Sequence, residues 1–147
     1  MSLFAPSRDQ ARAFMAETWR KHRDGLPLEG AETMLIQVLL MHPEYHPLLE
    51  DPQAHLTRDW RPEHGETNPF LHLSLHLAIE EQVSIDQPPG IRAATSRLRT
   101  VARSDHDALH LVMECLAEEI WHTQRHGVPF DASRYLAALE RRSTRSR

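Results

Sequence analysis

Residues 68–82, NPFLHLSLHLAIEEQ, constrain the fold more than any other stretch. Asn68 followed by Pro69 is a helix-start signal, a side-chain cap ahead of a residue whose missing N–H would have been an orphan anyway. Placed on a helix at 100° per residue, Ser74 and Glu81 mark one side. His72, His76, Ile79 and Val83 lie opposite, with Glu80 a step further round. The run is otherwise so apolar that this helix has to be buried on most of its surface. Burying a polar side chain without a partner costs roughly 1 to 3 kcal/mol. His72, His76 and Glu80, spaced i, i+4, i+8 along one face, therefore need partners.

The rest of the chain reads as helical too. Apolar residues recur at helical spacing, with breaks at DGLP, the Pro- and His-rich stretch 43–67, DQPPG and HGVPFD. The expected helices are Arg8–His22 behind a Ser7 cap, Ala31–Met41, Pro69–Ile85, Ile91–Val101, a long helix behind Ser104 to His126, and Ala132–Arg141. Ser104 and Asp107 have capping-box spacing. A short helical turn is expected around Leu48–Leu56. The expectation is an all-α protein, a helical bundle of about five to six helices. It forms one domain over residues 1–147, with a frayed basic tail at 142–147.

Eleven histidines in 147 residues are the compositional outlier. Histidine is the commonest metal ligand. The long helix carries a second row, His106, His110, Glu114, Glu118, His122 and His126, that drifts round the wheel. His106 and His110 border its apolar stripe and Glu114 lies just beyond it. Glu118, His122 and His126 take the far side, which argues against Glu119 and His122 forming a di-metal motif. A third pair, His42 and His46, follows the second helix. The ligands expected first are His72, His76 and His110. Glu80 and Glu114 would be carboxylate ligands or orienters of the imidazoles, and His42 and His46 would complete the site from the loop. Mixed imidazole and carboxylate donors suit Fe, Mn or Zn, and Cu or Ni also fit.

Several function classes are excluded or disfavoured. The longest apolar stretch, MLIQVLLM, is far short of the roughly 20 residues of a membrane span. The N-terminus has no secretory pattern. A net charge of −4 argues against a general nucleic-acid binder. One cysteine, Cys115, fits a reducing cytoplasm. Its neighbours Glu114, Glu118 and Glu119 argue against a nucleophile. The QPPGIR turn with Arg92 offers an anion a helix N-terminus, although a proline-stiffened turn explains it as well. The competing reading is a non-catalytic interaction protein with a structural His/Glu network. Its arginine-rich segment Arg92, Arg97, Arg99 and Arg103 would dock a protein partner, and a homo-oligomer is compatible with either reading.

The blocks PSRDQARAF, HPEYHPLLED, GETNPFLHLSLHLAIEEQVSIDQPPGIRAA and HLVMECLAEEIWHTQR together resemble a proteobacterial family catalogued as domain of unknown function 1841, from about Phe4 to Arg125. That name carries no activity. The resemblance implies that His42, His46, His72, His76, Glu80, His110 and Glu114 are family positions, and that glutamine is the commoner residue near His122. The histidine pairs are also loosely similar to those of hemerythrin-like and DinB-like metal-binding bundles, but their order and spacing differ from both.

Overall fold

The computed structural model describes residues 8–55, 58, 60 and 68–145, and among them every regular element is helical. In chain order these are α1 (Arg8–Arg23), α2 (Ala31–Leu40), a 3-10 turn (Pro43–Tyr45), α3 (His46–Glu50), α4 (Pro52–His55), α5 (Pro69–Ile85), α6 (Ile91–Val101), α7 (Asp105–His126) and α8 (Ala132–Arg145). Eight α-helices replace the expected five to six, because the 43–55 stretch breaks into short pieces. Pro43, Pro47 and Pro52 each sit in the first turn of a piece, where a missing N–H costs nothing. The expected Ser7 cap lies outside the described residues. α8 continues to Arg145 rather than stopping near Arg141.

The contacts group the chain into two compact units, residues 1–77 and 78–147, and the division falls inside α5. In the first unit α1 packs on α2 and α3. Met15, Trp19, Leu35, Ile36, Val38, Leu39, Leu49, Phe70 and Leu73 form its core. Arg12 is buried with them. Its Nη1 donates to the Arg58 carbonyl at 2.7 Å, and its guanidinium lies 4.8 Å from the Phe70 ring centroid, so the charge is held by an oxygen and a π-face. Lys21 ties α1 to α2 through Glu32 at 2.9 Å.

In the second unit α6, α7 and α8 pack against one another. Ile91, Ala94 and Leu98 of α6, Ala108, Val112 and Leu116 of α7, and Tyr135 and Leu139 of α8 are buried. Tyr135 donates its hydroxyl to Gln82 Oε1 at 2.8 Å, linking α8 to the second half of α5. Ser104 caps α7 by accepting from Asp107 N at 3.0 Å. Gly127, at φ 62°, ends that helix in the left-handed region where a side chain is strained.

Glu119 is the buried acid of this unit. Arg134 donates to both of its oxygens at 2.7 Å, and the Asp131 amide adds a third bond at 3.0 Å. The Arg134 hydrogen bonds, ahead of the opposing effect of burial, hold this carboxyl below its ordinary 4.5. A depressed carboxylate stabilises the fold above its unfolded pKa, and that stability is lost as the pH falls through the folded value. The thermal midpoint of the wild type should therefore drop on acidification below about pH 4.5. Glu119→Gln should have a lower midpoint at neutral pH and a smaller acid-induced drop, read by circular dichroism melts. Parallel pH profiles for the two proteins would refute this.

Asn68 caps α5 as expected, its Oδ1 accepting from Phe70 N at 3.0 Å and Leu71 N at 3.1 Å. Asn68→Ala should cost about 1 kcal/mol, measured as a lower urea midpoint with an unchanged slope. A midpoint equal to that of the wild type would show that the cap contributes nothing.

Candidate metal centre

α2 ends at Leu40, and the chain turns at His42, which is fully buried. His42 Nδ1 lies 2.7 Å from the Val38 carbonyl oxygen. A carbonyl only accepts, so Nδ1 carries the proton and Nε2 presents its lone pair. This is the way metal-ligating imidazoles are held, with the remote nitrogen tied to a backbone oxygen. His42 Nε2 is 3.1 Å from His72 Nε2. The His42 ring meets the rings of His72 and His76 edge-on, at 4.9 and 5.1 Å between centroids, and stacks on Tyr45. His76 is fully buried. α5 supplies His72 and His76 from successive turns of one face, as their i, i+4 spacing demands.

On α7, His106 and His110 occupy the same spacing with ring centroids 4.2 Å apart. Within the first unit the imidazoles of His42, His72 and His76 thus form a cluster that could hold a metal ion.

The remaining expected site residues divide. His72 and His76, ranked first by the sequence, meet His42, which it ranked only as a completing residue. His110 lies on α7 in the second unit, beside His106. His46 is directed elsewhere. Its Nε2 donates to the Leu39 carbonyl at 2.7 Å, and its ring lies 4.1 Å from the Trp19 ring. It serves as a C-terminal cap of α2, satisfying one of the carbonyls that a helix end leaves open. Glu114, expected as a ligand or orienter, is exposed and pairs with Arg142 at 3.4 Å. Glu80 is half-buried. His106 borders the same apolar stripe as His110 but was not ranked with it. Its i, i+4 spacing to His110 repeats that of His72 and His76.

Other expected features resolve into structural roles. Arg97 pairs with Glu140 at 2.9 Å, and Arg92 donates to the Val83 and Ser84 carbonyls. Two of the four arginines of segment 92–103 are therefore engaged by the chain itself. At the QPPGIR turn, Asp86 Oδ1 accepts from Gly90 N and Arg92 N, so the chain's own carboxylate takes the place of an anion. Cys115 is buried and its thiol is pushed up to about 11, chiefly by burial rather than by its glutamate neighbours. Such a thiol is not a nucleophile at neutral pH. Among the described residues no helix is long and apolar enough to cross a membrane.

No curated protein and no solved structure matches this chain. A family model described as a domain of unknown function, DUF1841, matches residues 7–141. A match over that much of the sequence makes the chain a member of the DUF1841 family.

Proposed function

We propose that this protein binds one transition-metal ion through His42, His72 and His76. The observation that carries the reading is the meeting of these three imidazoles in the first unit, with His42 Nε2 3.1 Å from His72 Nε2 and the His42 and His76 side chains fully buried. The tautomer of His42, fixed by the Val38 carbonyl, supports it independently. Zinc–nitrogen bonds of about 2.0–2.1 Å place tetrahedral ligands about 3.4 Å apart. The 3.1 Å between His42 Nε2 and His72 Nε2 is close to that spacing.

An all-imidazole donor set favours zinc or ferrous iron, with copper and nickel as competitors, over manganese, which prefers oxygen. In the metal-free protein His72, at 3.1 Å, is the hydrogen-bond donor to His42 Nε2. We place the protein in the cytoplasm, where a lone cysteine stays reduced.

The test is elemental analysis of untagged protein, with thermal melts in chelator and after zinc addition. Near-stoichiometric metal is expected. Saturation at a hundred times Kd should stabilise the fold by about 2.7 kcal/mol. His72→Gln alters a half-buried position and should retain the helical spectrum while losing most of the metal. Metal-free protein whose melt ignores both chelator and zinc would overturn the reading. So would full metal retention in that variant.

A further inference from the structure

A groove of about 600 Å³ runs between α7 and α8, away from every proposed metal ligand. Ala117 on α7 and Ala138 on α8 are short enough to leave it open, and Cys115 and Tyr135 line it from the buried side. At its rim Trp121 is 59% exposed, although exposing an indole to water forgoes one of the largest apolar burials a side chain offers. The volume lies within the range of small-molecule sites, and the lining has their usual character, apolar surface with few polar groups.

Charge selects the ligand. Glu119 has both oxygens engaged by Arg134 and the Asp131 amide. Glu118 shares Arg142 with Glu114, at 3.2 and 3.4 Å. Both acids that line the groove are therefore already bonded to arginine. Arg141 lines the groove and has no carboxylate partner among the described residues. Arg125, also without one, stands 5.4 Å over the Trp121 ring. These two guanidinium groups are the charges left without an acid beside an exposed aromatic face.

We propose that this groove binds a small aromatic carboxylate, with Arg141 receiving the carboxylate and Trp121 covering the ring. An arginine fork and a planar carboxylate match in geometry, and an aromatic ring stacks favourably on an indole. The site shares no side chain with the metal group, so it stands or falls separately.

The test is an NMR titration that follows the three tryptophan indole N–H signals. The probes are phenylpropionate and its neutral isostere phenylpropionamide. The Trp121 signal should shift saturably with the carboxylate, and the amide should bind about tenfold more weakly for want of the charge-assisted bond. Arg141→Gln should erase the difference between the probes while leaving the Trp19 and Trp60 signals in place. Ala138→Leu, which fills the groove, should remove both responses. A stationary Trp121 signal, equal affinity for the two probes, or wild-type discrimination in Arg141→Gln would each overturn the proposal. If Ala138→Leu fails to fold, the Arg141→Gln comparison decides alone.

Discussion

The structure depends on one helix being continuous. α5 contributes residues to both compact units, and it has to stay a helix across the point where they divide. Its ends are fixed by side chains of the chain itself. Asn68 supplies the oxygen for the first free amides, and Asp86 closes the far end while tying α6 to it. With both ends set, rotation about the α5 axis is no longer free. His72 and His76 are then committed to the face that meets His42, and Gln82 to the Tyr135 hydroxyl. A slip of one residue would rotate that face by about 100° and separate these partners together.

The helical punctuation was legible because it is local. Asn68–Pro69, the Ser104 cap and the Gly127 stop each act within one turn, so the ends of α5 and α7 fall where those signals put them. The end of α8 was less legible. Arg142 finds Glu114 and Glu118 on α7, and a helix that gains such partners continues past a basic run that looks ready to fray. The sequence of that run contains nothing about α7.

The candidate site shows the same limit in sharper form. The wheel ranks side chains by the face of their own helix, and His72, His76 and His110 follow from that ranking. It cannot say which of two loop histidines turns inward. His42 and His46 differ only in which carbonyl each one meets. Val38 takes the Nδ1 proton of His42 and leaves a lone pair facing His72, whereas Leu39 takes the Nε2 proton of His46, whose ring packs on Trp19 instead. The two imidazoles are thus turned to different surroundings at the end of α2.

Arginines are sorted by the same competition. Arg92 and Arg97 stand in the most conspicuous basic stretch, yet carbonyls and Glu140 claim their donors. Arg125 and Arg141 attract no notice in the sequence and emerge with no acid opposite them. An exposed ion pair contributes little to stability, so these pairings matter less for holding the fold than for deciding which charges stay available. Two such charges, Arg125 and Arg141, belong to the surroundings of Trp121, where short alanines open the surface.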